Sequence, residues 1–320
     1  MKINGVFEGG GVKGIALAGA VSAVMDKGIT FHQVAGTSSG SIVASFLAAG
    51  YTGSEMKQLI LESPFRSFLK RAPVFNVKII GPAFRLLLKK GLYSGEMLED
   101  WVHRKLAAKN IRTFGDLKRN QLRIIASDIS QGKLLVLPDD VRQYGLDPKK
   151  FPISKAVRMS TSIPYFLDPV LIRKSSKIGS KLPLSEQFVH IVDGGVLSNF
   201  PLWLFDEERS TTNPQPTIGF SLVGRIPNQV HKISGPISMF QALFSTMMDA
   251  HDERYIEEHN RFRTIKIPAM GVGATEFSIS QEKSEALYKT GYQASQSFFR
   301  NWSDQNYENE YEKHVLRKLK

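Results

Sequence analysis

Short apolar runs alternate with longer helical ones over the first two thirds of the chain. Residues 2–7 read as a first strand, and Ile15 to Met25 is apolar almost throughout, a buried helix that stops at Gly28. A second apolar run ends in Val34-Ala35, and Ser41 to Ala49 opens another helix. Phe188 to Val192 is a later strand. This alternation through residue 225 predicts an α/β fold, with a mostly parallel sheet and helices on both faces. Beyond residue 225 the pattern changes. Residues 236–261 read as a long amphipathic helix with Met239, Phe240, Leu243, Met247 and Met248 apolar, a stripe expected to face the core. Residues 262–268 predict a strand and 281–302 another helix. The chain thus divides into a core over 1–225, an extension over 226–302 that completes it, and a charged tail over 303–320.

Charge changes the picture in one place. The net charge is +12, from 42 basic and 30 acidic residues, and the excess is uneven. Residues 64–95 carry Arg66, Lys70, Arg71, Lys78, Arg85, Lys89 and Lys90 with no acidic residue, interleaved with Phe65, Phe68, Phe75, Phe84 and several Leu and Ile. Cations mixed with bulky apolar side chains suit an anionic membrane surface. The competing readings are a nucleic-acid patch, for which no binding motif is present, and an ordinary insertion with solvated lysines. With zero cysteines, disulfides and thiolate metal sites are excluded. The first residues lack the apolar stretch of a signal peptide, and no run approaches the roughly 20 residues of a spanning helix. A cytoplasmic or peripheral-membrane location is the expectation.

The candidate chemistry begins at Gly36-Thr37-Ser38-Ser39-Gly40, between a strand and a helix. That context is a nucleophile elbow, with Ser38 lifted out of a tight turn that needs glycine on both sides. By chance, G-x-S-x-G occurs on the order of once in ten chains of this length, so the motif needs company. On its own it is equally a turn with Ser38 or Ser39 capping a helix. Company comes from Glu8-Gly9-Gly10-Gly11-Val12-Lys13-Gly14, between the first strand and helix. Successive glycine N–H groups and a helix N-terminus can hold the oxyanion of an acyl-transfer intermediate. Lys13 adds positive charge there or is simply solvated. Gly9-x-Gly11-x-x-Gly14 also matches a dinucleotide fingerprint. That reading wants an acidic residue at the end of the second strand, where Val34 to Ser38 offers none. None of the seven histidines lies in a glycine-rich loop after a strand, and His190 sits inside an apolar run. The same strand ends in Asp193-Gly194-Gly195, which reads as a tight turn or as a carboxylate placed to take a proton from a serine.

Together, Gly9–Gly14, Gly36–Gly40 and Asp193–Gly195 resemble, in order, the three signatures of the patatin-like phospholipases. The stretches Ala126–Gly132, Met159–Phe166 and Asp193–Pro201 agree with that family as well, and the resemblance spans roughly residues 3–225. It implies a patatin-like three-layer α/β/α sandwich and a Ser38–Asp193 dyad with no catalytic histidine. It also implies an oxyanion hole from Gly9, Gly10, Gly11, Lys13 and Gly14, no metal or cofactor, and phospholipid or other acyl-lipid esters as substrates. Acyl transfer to water gives a hydrolase, and transfer to another alcohol gives a transacylase. An inert lipid-binding protein is the remaining alternative.

Overall fold

In a computed structural model of the chain, all residues are described except 62, 64–66, 69–84, 87, 207–214, 224–232, 236–237, 241, 248–258 and 317–320. Most of the basic segment therefore lies outside the described residues. The described part is a mixed, mostly parallel sheet flanked by helices. Its strands are β1 (Lys2–Phe7), β2 (Thr30–Thr37), β4 (Leu122–Asp128), β5 (Lys133–Leu137), β7 (Val170–Arg173), β8 (Phe188–Asp193), β9 (Thr217–Val223) and β10 (Thr264–Pro268). They pair in the order β10-β9-β1-β2-β4-β8-β7, with β5 also on β4. The pairs from β10 through β4 are parallel, whereas β4–β5, β4–β8 and β7–β8 are antiparallel. A separate two-stranded sheet joins β3 (Gly91–Tyr93) to β6 (Tyr165–Leu167).

The register around β4 decides where the chemistry sits. β5 occupies one edge of β4 from Ile124 to Asp128. The other edge is shared. β2 pairs along Leu122 to Ile125 and ends with Thr37 opposite Ile125, while β8 runs the opposite way and ends with Asp193 opposite Ala126. Two strands thus meet end to end on neighbouring positions of a third.

Both sheet faces are covered. Ile3, Phe7 and Ile124 join the large core with the apolar helix α1 (Ile15–Asp26) and with α2 (Ser39–Ala48). The alternate positions Val6, Ala35 and Ile125 point the other way, under Phe200, Leu202 and Phe205. This is the period-two alternation of a sheet with both faces buried. The core also takes in α3 (Gly53–Leu61), α4 (Glu96–Ala108), α5 (Ile153–Ser160) and α6 (Gln281–Arg300) through Met56, Trp101, Val157 and Leu287.

Two expectations for the C-terminal region change. The charged tail forms α7 (Asp304–Tyr311) and a further turn, and it buries Tyr307, Tyr311 and Val315. Those residues stand at i, i+4 and i+8, one helical stripe among charged neighbours. Tyr311 Oη also reaches Asp206, which is paired with the buried Arg263. The methionine stripe is the second change. Residues 238–240 and 242–247 are helical, but Met239, Leu243 and Met247 are exposed at 52%, 53% and 44%. The neighbouring stripe is seated instead. Phe244 packs with Ile163, Phe166 and Leu167, and the Phe240 ring lies 4.7 Å from that of Tyr165. Two apolar stripes compete for one surface, and the aromatic one, with more area to bury, takes it. Met248 lies outside the described residues.

Tyr307 tests the role of the tail. Its hydroxyl accepts the Thr217 N–H at 2.9 Å, inside the sheet edge. Tyr307→Ala should cost about 3–5 kcal/mol by urea unfolding, as for other buried aromatics. Tyr307→Phe, which removes only the hydroxyl and its bonds to the Thr217 N–H and carbonyl, should cost about 1–3 kcal/mol. A loose tail would leave both variants at the parental midpoint.

Candidate active site

Ser38 follows the last residue of β2 and caps α2 with φ 51° and ψ −124°. This region is sparsely populated for a residue with a Cβ and persists only where surrounding structure imposes it. The imposing contacts are close. A Cβ on Gly36 would lie 2.3 Å from the Gly40 carbonyl oxygen, and one on Gly40 would lie 2.2 Å from that of Phe7. The Ser38 N–H is held by Ser160 Oγ at 2.9 Å, and its carbonyl accepts from Ser41 Oγ at 2.6 Å.

The hydroxyl of Ser38 donates to Asp193 Oδ2 at 2.7 Å, a bond between residues 155 apart in sequence. Asp193 is fully buried, and its other oxygen accepts the Gly195 N–H at 2.8 Å. Its own N–H donates to the Ser162 carbonyl at 2.9 Å. Burial pushes the Asp193 carboxyl up to about 7, opposed by the hydrogen bonds from Gly195 and Ser38. Desolvation therefore moves this carboxylate toward the pKa of a base that works near neutral pH. Among the candidate serines only Ser38 faces a carboxylate, since Ser39 Oγ accepts the Gly10 N–H at 3.1 Å and Ser41 Oγ is bound to Ser38.

The glycine loop lies beside this pair, but its amides are not uniformly free. The Gly9 N–H donates to the Asn199 carbonyl, the Gly10 N–H to Ser39 Oγ and the Val12 N–H to the Ala274 carbonyl. Gly11 has φ 57°, and a Cβ there would lie 2.0 Å from the Ala274 oxygen. The N–H groups of Gly11 and Ser39 carry no hydrogen bond among the described residues, and both residues line one cavity with Ser38. Gly14 packs on Ser39, and the half-buried Lys13 does not line the cavity. Thr37 Oγ1 ties the elbow to the Ser198 carbonyl at 3.0 Å, and Gly194 sits against Ile125 of β4.

That cavity holds about 60 Å³ and is apolar, lined by Ile42, Phe68, Leu98, Ile163, Phe166 and Phe277 beside the serine. Phe166 and Phe277 stack across it with centroids 5.3 Å apart. His190 stands apart, half-buried on its strand with its N–H on Ser130 Oγ. Among the described residues, no group of three His, Asp or Glu is placed to hold a metal ion. No described helix is long and apolar enough to cross a membrane.

Several positioning residues carried no signal as isolated letters. Ser160 and Ser162 hold Ser38 and Asp193, and the buried Arg158 donates to Ser162 Oγ and to the Ser94 and Asp168 carbonyls. Burial lowers the Arg158 guanidinium to about 10, against the raising effect of Glu99 and Asp168. Buried Glu8 accepts from the Leu222 N–H at 2.5 Å and from Asn199 Nδ2 at 3.1 Å.

The sequence signature of the patatin-like phospholipases matches residues 5–206. An uncharacterised Bacillus subtilis protein, YqhO, is 43% identical over 304 residues, covering 95% of this chain and 100% of its own. An uncharacterised protein of Acanthamoeba polyphaga mimivirus, R571, is 26% identical over 303 residues, covering 90% of each. Among solved structures, VipD of Legionella pneumophila aligns at TM-score 0.49 and 17% identity, covering 92% of this chain and 66% of that one. The type III effector ExoU aligns at TM-score 0.47 and 16% identity, covering 93% and 53%. This chain thus spans about half to two thirds of those two solved chains.

The raised carboxyl has a measurable cost. Its folded value, about 7, lies above the unfolded value near 4, so the folded chain binds the extra proton between them. Its contribution to stability therefore falls as pH rises through that window. Asp193→Asn has no charge to bury. Its stability relative to the parent should rise by about 2–4 kcal/mol between pH 4 and pH 8. Urea midpoints at both pH values check this, and a pH-independent difference would mean that Asp193 is ionised without penalty.

Proposed function

The chain belongs to the patatin-like phospholipase family, a family of lipid acyl hydrolases, and we propose that it cleaves carboxylic esters of acyl lipids through an acyl-enzyme on Ser38. The observation that carries this reading is the buried 2.7 Å hydrogen bond from Ser38 Oγ to Asp193 Oδ2. Asp193 accepts the hydroxyl proton as Oγ attacks the ester carbonyl carbon. The carbonyl π electrons move to oxygen, and that oxyanion is received by the Gly11 N–H of the glycine loop and the Ser39 N–H at the N-terminus of α2. Collapse expels the alkoxide, which takes the proton from Asp193 and leaves as the alcohol. Water then enters, Asp193 takes its proton, and the carboxylic acid departs as Ser38 regains a hydrogen. Every proton and charge has a named protein group, so the reaction as written needs no metal or cofactor.

The acyl chain lies against Ile42, Leu98, Ile163, Phe166 and Phe277. About 60 Å³ is the share of only two waters, so the Phe166–Phe277 stack parts when a chain enters. Transfer of the same acyl group to a second alcohol is the alternative outcome, decided by which nucleophile reaches the acyl-enzyme. A phospholipid substrate is supported by features suited to a membrane surface. Exposed Lys89 and Lys90 lead into β3, β3 pairs with β6, and Tyr165 of β6 meets the helix that exposes Met239, Leu243 and Met247. Cations and apolar side chains thus adjoin on the side of the fold that carries the cavity, as an anionic lipid surface requires. Arg85 takes no part in that docking, because it is buried and bound to both oxygens of Asp168 at 2.8 and 2.7 Å. Arg66, Lys70, Arg71 and Lys78 of the segment lie outside the described residues.

Fluorophosphonate labelling and ester turnover, with chelator present, test the chemistry. Ser38→Ala should abolish both, and Asp193→Asn should lower kcat by about 10⁴, as loss of a triad carboxylate does. Because Asp193 acts ionised, kcat/KM should rise with pH through about 7. Labelling that survives in Ser38→Ala but is lost in Ser39→Ala or Ser41→Ala would reassign the nucleophile. A folded histidine variant as inactive as Asp193→Asn would restore a triad.

Docking is tested separately. Replacing Arg66, Lys70, Arg71, Lys89 and Lys90 by Gln should weaken binding to phosphatidylserine vesicles, each cation being worth about 1 kcal/mol at low salt. Turnover of a soluble short-chain ester should stay within about twofold, since Ser38 and Asp193 are untouched. Parental vesicle binding in this variant would assign the segment to structure alone.

A further inference from the structure

A second, larger cavity lies far from Ser38 along the strands. It holds about 570 Å³ at the start of β4, between the loop that precedes this strand and the turns that follow β5. Leu122 and Arg123 open β4 there, beside Val34 and Ala35 of β2. Ser38 follows the far end of β2, so the two cavities open toward opposite ends of parallel strands.

Five cations line this cleft, Lys118, Arg119, Arg123, Arg142 and Lys149, against the single carboxylate of Asp139. Arg142 meets Asp139 at 3.4 Å, both of them exposed. Lys118, Arg119 and Lys149 are exposed and have no carboxylate within ion-pair distance among the described residues. Carboxylates are close in sequence but are turned to the backbone. Asp116 accepts the N–H groups of Arg112 and Thr113 at 2.8 Å each, Asp140 that of Val136 at 2.6 Å and Asp147 that of Lys149 at 2.9 Å. Arg123 anchors the base of the cleft, 7% exposed, with Nη1 on the Leu204 carbonyl at 3.1 Å and its guanidinium over the Phe205 ring.

We propose that this cleft binds a soluble anion carrying two or more adjacent phosphate groups. Lys118, Arg119 and Lys149 bring like charges into one concavity with no carboxylate at ion-pair distance among the described residues, and a multiply charged anion relieves that repulsion. The exposed Arg119 and Arg142 guanidinium groups, with the Lys118 and Lys149 ammonium groups beside them, match clustered phosphate oxygens better than they match one carboxylate. The volume suits a compact ligand rather than a duplex, which needs an extended basic stripe. The opposite orientation of the catalytic cavity favours a soluble source. With Ser38 turned toward lipid, this cleft faces water.

Calorimetric titration of the full chain with inorganic tripolyphosphate tests the proposal. One saturable site is expected, together with a rise in Tm. The triple variant Lys118→Gln, Arg119→Gln, Lys149→Gln removes three exposed cations and should bind at least about tenfold more weakly, with unliganded Tm not lowered. A matched triple, Lys174→Gln, Lys177→Gln, Lys181→Gln, removes equal charge elsewhere and should bind as the parent does. Absence of saturable binding, or equal loss in both triples, overturns the proposal. So does the finding that phosphatidic acid vesicles, and not tripolyphosphate, are bound through Lys118, Arg119 and Lys149.

Discussion

The end-to-end meeting of β2 and β8 on one edge of β4 is the constraint on which the site depends. Thr37 lies opposite Ile125 and Asp193 opposite Ala126, so successive positions of one strand hold the two chain ends together. A one-residue slip of either strand would turn its side chains to the other sheet face. The hydrogen bond between Ser38 and Asp193 is therefore fixed by backbone ladders, and Ser160 and Ser162 pin the two residues from the end of α5 and just beyond it. Backbone positioning of this kind leaves the side chains little freedom to lose when they pair.

The glycine loop is joined to the same frame by a buried carboxylate. That carboxylate is Glu8. It binds the Leu222 N–H of β9 and the Asn199 side chain, and Asn199 exchanges hydrogen bonds with Gly9 through its Nδ2 and its carbonyl. The segment after Asp193 thus grips the loop after β1. Hydrogen bonds join positions 8, 9 and 199, and 38 and 193, although the chain visits them in three separate passes. A buried carboxylate costs free energy unless hydrogen-bonded, and both oxygens of Glu8 are.

What was legible in the sequence follows from how local each feature is. β1, α1 and the Phe188–Asp193 strand are apolar runs with glycine at or just past their C-terminal ends, and their limits in the structure match within a residue or so. Gly36, Gly40 and Gly11 reported the tight approaches they make, because no other residue fits there. Ser160, Ser162 and Asn199 act through partners over a hundred residues away or through a backbone carbonyl, and nothing local marks a serine whose hydroxyl will accept the Ser38 N–H. The tail was misjudged because its charges outnumber Tyr307, Tyr311 and Val315, though their spacing of four was visible. The exposed methionines were misjudged for another reason. Periodicity finds an apolar stripe, but it cannot rank Met239–Leu243–Met247 against the adjoining Phe240–Phe244 without the surface that receives one of them.

Dryness links the chemistry to the substrate class. Asp193 reaches about 7 because it is buried, and the hydrogen bonds to Gly195 and Ser38 only partly oppose that effect. A site that opened to bulk water would lose the shift and return the carboxylate to a weak base. The proposed substrate avoids this. An acyl chain that parts Phe166 from Phe277 replaces apolar side chains with methylene groups, so the cavity stays apolar as it fills. A polar ligand of the same size would have to bring water or leave its own groups unpaired. In the proposed mechanism, the same burial that brings Asp193 toward a base suited to neutral pH therefore favours a substrate with a hydrocarbon chain.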